Sequence, residues 1–172
     1  MRIWISNRQR KITVNPEKLR RRAGRILNAL GWDKAELSLT LVGDKAMARL
    51  NRETFGRRGP TNVIAFPLNT GLAGAESTAD TPKTEYRRPK TGILAPMPPV
   101  MLGEVVISLE TTARQAREGD WPFQELLDFF LIHGILHLLG YDHEIPGDEA
   151  RMTEKTWELM GLLFPRLKRL TD

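Results

Sequence analysis

The chain contains no cysteine, which excludes a disulfide framework and any thiolate-bound zinc and leaves the redox compartment open. It has no internal repeat, and its most apolar stretch, Phe129 to Leu139, is too short to cross a bilayer, which needs about 20 such residues. The opening Met-Arg-Ile-Trp-Ile-Ser lacks the apolar core of a signal peptide and alternates like a strand. A cytoplasmic protein is the default expectation. Acidic residues are scarce at the amino end, where Met1 to Arg25 hold nine Lys or Arg against the single acid Glu17, whereas the remainder is net acidic. Histidine is scarcer still, and all three fall in one eleven-residue window, His133-Gly-Ile-Leu-His137-Leu-Leu-Gly-Tyr-Asp-His143.

The 172 residues fit a single domain, 1–172, with one core. Ile3 to Ile5 and Ile12 to Val14 read as short strand pieces. Asn15 as cap, Pro16 at the first helical position and Gly31 past the end bound a helix. Leu37, Leu39 and Leu41 alternate as a strand, Asp44 is expected to cap a short helix through Asn51, and Val63 to Phe66 form a strand closed by Pro67. Gly103 to Leu109 is a further strand and Glu110 to Arg117 a helix. Asp120 to Pro122 should open the long histidine-bearing helix, followed by a charged helix from Asp148 to Met160 and a basic tail at Arg166, Lys168 and Arg169.

Strands alternating with helices early and helices alone late predict an α/β (α+β) fold, a small mixed β-sheet flanked by helices, with the histidine helix as the central buried element. The stretch Leu68 to Leu102 is rich in Gly, Pro, Ser and Thr without a sustained period. It reads as a long mobile loop rather than a second domain. Tyr86, Arg87, Arg88 and Lys90 within it read as a solvated tip in preference to a polyanion contact.

The histidine window has metal-ligand spacing. Residues four apart lie on one helical face, so His133 and His137 can reach one ion at about 2.0–2.1 Å. Gly140 can take the left-handed conformation that ends the helix and lets His143 approach. An apolar surround disfavours protonated imidazole, and the neutral ring is the metal-binding form. The competing reading, three ordinary core histidines, leaves the joint pattern of spacing and breaking glycine unexplained.

Three protein ligands and no evident fourth describe a catalytic rather than a structural site, with a metal-bound water acting through His133, His137 and His143. Asp142 or Glu144 closing the sphere is the alternative, and Asp142 is equally placed to orient a ligand imidazole. The spacing matches the protease pattern H-E-x-x-H-x-x-G-x-x-H at its ligands and glycine, yet Gly134 stands where the general-base glutamate belongs. That argues against a peptidase. Phosphodiester cleavage depends more on metal and cationic stabilisation of phosphoryl oxygens. Between Pro16 and Leu30 an apolar face of Leu19, Ala23, Ile26, Leu27 and Leu30 lies opposite Lys18, Arg21, Arg22 and Arg25. That basic stripe is expected to face solvent and to suit a polyanion. Trp4, Trp32, Trp121 and Trp157 are too scattered to form a base-stacking platform and are expected to pack in the core or between helices.

The window from His133 to His143 resembles the H-G-x-L-H-L-x-G-Y-D-H signature of the YbeY family of bacterial endoribonucleases. Pro60-Thr-Asn-Val-Ile-Ala-Phe-Pro67 resembles that family's P-T-[DN]-V-L-S-F-P strand, and Gly103-Glu-Val-Val-Ile-Ser108 its G-D-I-V-I-S strand. The resemblance implies a zinc-dependent, single-strand-specific endoribonuclease that matures the 3′ end of small-subunit (16S) ribosomal RNA and serves ribosome quality control, with the small ribosomal subunit as partner. It also implies one Zn2+ per chain, on His133, His137 and His143. One departure stands out: Asn51-Arg-Glu-Thr-Phe55 carries phenylalanine where the family's N-R-x-[YF]-R motif has its functional arginine. Arg57 or Arg58 is the expected substitute for RNA contact, since a long guanidinium reaches a phosphate from a shifted backbone position. A non-catalytic RNA-binding assembly factor with a structural metal, and more weakly a metal-dependent peptidase, remain the alternatives.

Overall fold

A computed structural model describes residues 1–68, 99–141 and 146–167. Within them four strands and five helices follow the order β1 (Arg2–Asn7), α1 (Pro16–Ala29), β2 (Glu36–Val42), α2 (Asp44–Phe55), β3 (Val63–Pro67), β4 (Met101–Ser108), α3 (Leu109–Glu118), α4 (Phe123–Leu138) and α5 (Pro146–Leu163). The strands form one mixed sheet in the order β1-β2-β4-β3. β1, β2 and β4 run parallel, and β3 pairs antiparallel with β4 at the edge, Val63 opposite Ile107.

Side-chain alternation assigns the two faces of this sheet. Leu37, Leu39, Leu41, Val105 and Ile107, all fully buried, join the main core with residues of α1, α4 and α5. Val42, Ile64 and Val106 point the other way and pack with Met47 of α2 in a smaller cluster. Since Val105 and Val106 are neighbours on β4, α4 and α2 lie on opposite faces of the sheet.

α1 begins and ends as its caps require. The Asn15 side chain accepts from the Lys18 N–H, Pro16 opens the helix, and Gly31 turns left-handed at φ 77° beyond it. α4 is apolar around most of its circumference and is the most buried helix. Ten of its sixteen residues are buried, as expected for a central element.

Several local expectations need correction. Ile12 to Val14 is no strand. The Gln9 side chain holds the segment as a turn, its Oε1 accepting from the Lys11 and Ile12 N–H groups and its Nε2 donating to the Ile12 carbonyl. Ile12 and Val14 still pack on the core as partly buried residues. Gly43, not Asp44, caps α2, and the helix continues past Asn51 to Phe55, ending at Gly56 with φ 66°. The Asp44 carboxylate is engaged elsewhere: it accepts from Ser108 Oγ at 2.7 Å, Thr111 Oγ1 at 2.6 Å and Arg114 Nη1 at 2.8 Å. Its pKa is set by burial, which raises it, outweighed by these hydrogen bonds and by the Arg114 charge, leaving it at about 2.

Asp120 to Pro122 precede α4 rather than forming its first turn, with Asp120 at φ 53°. α5 is longer than expected at both ends. β4 begins at Met101, inside the stretch read as a loop, and the Leu68 N–H donates to the Leu102 carbonyl. Residues 69–98, which hold Tyr86, Arg87, Arg88 and Lys90, lie outside the described residues, as do Lys168 and Arg169. No helix among the described residues is long and apolar enough to cross a membrane.

Candidate metal centre

α4 carries His133 and His137 one turn apart, and their Nε2 atoms stand 3.1 Å from each other. Two nitrogens that close fit around one ion at about 2.0–2.1 Å from each, whereas two protonated imidazoles would repel there. The rings meet edge to face with centroids 4.6 Å apart. Both residues are half-buried. From Leu127 to Leu138 they and Phe129, at i, i+4 and i+8, are the residues of α4 that escape full burial, so this part of the helix leaves one partly open face, and it carries the imidazoles.

Gly140, at φ 87°, ends the helix in the left-handed conformation expected of it. Asp142 and His143 lie outside the described residues, and so does Glu144. Among the described residues no group of three or more His, Asp or Glu is able to hold a metal. The donor pair on α4 nonetheless suits a borderline cation that prefers imidazole, such as zinc.

Gly134 has a physical reason to be glycine. A Cβ there would lie 2.5 Å from Val105 Cγ1 and 3.2 Å from Val63 Cγ2, so the helix backbone sits directly on the sheet. A protease-like glutamate at this position has no room.

An aromatic cluster backs the pair. Phe129 stacks on His133 with centroids 6.4 Å apart and touches Trp121 at 6.0 Å and Trp157 at 6.1 Å. Trp32 and Trp121 pack against the core as expected. Trp4 departs from that expectation, lying exposed on the edge strand with the Arg2 guanidinium 5.6 Å from its ring centroid.

The basic stripe of α1 divides. Lys18, Arg21 and Arg25 are exposed, and Arg25 Nη2 donates to the Leu162 carbonyl at 2.7 Å. Arg22, expected to face solvent with them, turns inward instead. It pairs with the fully buried Asp128 of α4 and lies over the Phe164 ring, its centroid 4.5 Å away. Asp128 sits where α4 faces α1, and an unpaired carboxylate there would carry a severe desolvation cost. Arg57 and Arg58 are both exposed on the turn after α2, beside an exposed Phe55.

A further set of cations escaped sequence reasoning. Lys45, Arg49 and Arg52 share one exposed face of α2. Their i, i+4, i+7 spacing was the available signal, obscured because the helix was expected to stop at Asn51.

Comparison with known proteins covers nearly the whole chain. The family model described as Endoribonuclease YbeY matches residues 4–163. The chain is 41% identical over 165 residues to a protein of Geobacter metallireducens named Endoribonuclease YbeY, spanning 95% of this chain and 96% of that one. A like-named protein of Geobacter sulfurreducens is 38% identical over the same shares. The fold matches a solution structure of a Thermotoga maritima protein with a TM-score of 0.62 at 23% identity, covering 97% of this chain and 92% of that one.

Proposed function

The chain belongs to the Endoribonuclease YbeY family, enzymes that hydrolyse phosphodiester bonds within RNA, and on that premise we propose that it is a cytoplasmic, zinc-dependent endoribonuclease specific for single strands. Its substrate is the 3′ end of small-subunit (16S) ribosomal RNA, which it matures on or near the small ribosomal subunit as part of ribosome quality control. The observation that carries the metal half of this reading is the 3.1 Å separation of His133 and His137 Nε2. His143 completes the ligand set in the proposal.

Zinc in such a site supplies Lewis acidity, polarising a phosphoryl oxygen and favouring a hydroxide nucleophile near neutral pH. The chain's own residues supply the rest. Phe129 and the aromatic cluster behind it fix the orientation of the His133 ring, and Asp142 orients a second imidazole. Gly134 lets the helix that carries both rings sit close against Val63 and Val105. Arg57 and Arg58 approach the phosphate in place of the family arginine at the Phe55 position, and the exposed Lys18, Arg21 and Arg25 attract the polyanion. Gly134 leaves no carboxylate to activate water for an amide, so peptide hydrolysis has no support here.

Chelator-stripped protein should leave single-stranded RNA intact, and added zinc should restore cleavage of a single strand and not of a duplex. A substrate with 2′-deoxyribose at the scissile position separates attack by water from attack by the RNA's own 2′-hydroxyl. Zinc-loaded protein that binds single-stranded RNA and never cuts it would instead assign the chain to non-catalytic assembly factors.

A further inference from the structure

On the face of the sheet opposite α4, the turn after β1 and the exposed side of α2 enclose a groove of about 1150 Å³. Among the described residues its walls carry Arg8, Arg10, Lys11, Lys45, Arg49, Arg52 and Arg58 against a single acid, Glu110. Glu110 is already engaged: Lys11 Nζ donates to it at 2.6 Å and the Asp44 N–H at 2.9 Å. Arg10, Lys45, Arg49, Arg52 and Arg58 make no ion pair among the described residues. Five cations gathered in one concave surface repel each other, and that field is relieved only by an anion from outside.

The lining identifies the anion. Between the cations lie Gly43, Ala46, Ala48 and Gly59, which are small and apolar, and none of the lining residues among those described is aromatic. Such a surface offers nothing to grip a peptide side chain or a stacked base and much to grip a repeating charge. Lys45 and Arg52 are separated by about 10 Å along the helix axis, at 1.5 Å per residue. That length is enough to face about two or three successive phosphates of one strand.

We propose that this groove is a second RNA-binding site, one that tracks the phosphate backbone of the substrate strand independently of sequence and shares with the histidine centre only Arg58. No residue of α4 lines it. The choice of RNA as the polyanion rests on the endoribonuclease reading; the existence of a backbone-tracking site does not.

The test is binding of a long, labelled single-stranded RNA to metal-stripped protein across a salt series. Lys45→Gln, Arg49→Gln and Arg52→Gln together should weaken binding about tenfold or more and reduce the slope of log K against log salt by about 2, since each single-strand phosphate contact contributes about 0.7. A charge-matched control of Arg2→Gln, Lys34→Gln and Arg151→Gln should change the slope far less. An unchanged slope in the groove variant, or an equal change in the control, overturns the proposal. Cleavage by the metal-loaded wild type is read separately, so an inactive wild type that still binds through the groove sinks the enzyme reading alone. Normal cleavage with an unchanged slope sinks the groove alone.

Discussion

Arginine serves opposite ends on the two faces of the sheet. On the α4 face Arg22 is withdrawn from solvent, paired with a fully buried Asp128 and covered by Phe164. On the α2 face Arg49 and Arg52 stand exposed beside other cations, with no ion pair among the described residues. Both come from amphipathic helices with a basic stripe. The difference lies in what the neighbouring element presents: α4 offers α1 a carboxylate that cannot stay buried alone, while the turn after β1 offers α2 only more positive charge. A basic stripe therefore predicts a polyanion surface only once its counter-charges are placed.

The largest expected effect lies on the closed face. Arg22→Ala should lower stability by about 3–5 kcal/mol, because it strands the Asp128 charge, and thermal or urea melting reads it directly. Replacing both partners with apolar residues should return most of that loss. On the open face Arg49→Gln should stay within about 0.5 kcal/mol of wild type. Comparable losses at Arg22 and Arg49 would erase the distinction between the faces.

A smaller effect tests the close packing that sets the histidine helix. Gly134→Ala should cost about 1–3 kcal/mol through overpacking against Val105 and Val63, with a matching loss in metal affinity. A melting curve that superimposes on wild type would mean that α4 does not need its close seat on the sheet.

The smallest effect belongs to Asp44, which anchors the start of α2 to α3. Its folded pKa of about 2 lies below the ordinary 3.8, so its stabilising bonds are fully present above pH 3.8 and fade as pH falls toward 2. Asp44 is partly solvated, and screening leaves a contribution on the order of 1 kcal/mol. Asp44→Asn should flatten the acid limb of a stability profile between those values, and an unaltered limb would count against the anchoring role.

What could be read in the sequence was what is encoded locally. The four-residue spacing of His133 and His137, the breaking glycine at 140 and the caps of α1 are short-range patterns, and each was legible. So was the mixed sheet, because its strands alternate with period two or run apolar. The misread features depend on partners far along the chain. Asp44 carries the residue type of a cap, yet Ser108, Thr111 and Arg114 hold its carboxylate while Gly43 caps the helix. Arg22 looked solvated until Asp128 was set beside it. Ile12 to Val14 alternates like a strand, but Gln9 supplies the hydrogen bonds a ladder would have supplied.

The central claim is that His133 and His137 act as a pair on one divalent ion to cut RNA. Metal content and single-strand RNA cleavage of His133→Ala and His137→Ala, each checked for an intact far-ultraviolet circular dichroism spectrum, test it most directly. Wild type should hold one ion per chain and cleave, while each folded variant should lose both properties together. A folded variant that loses its ion and still cleaves at the wild-type rate would contradict the account.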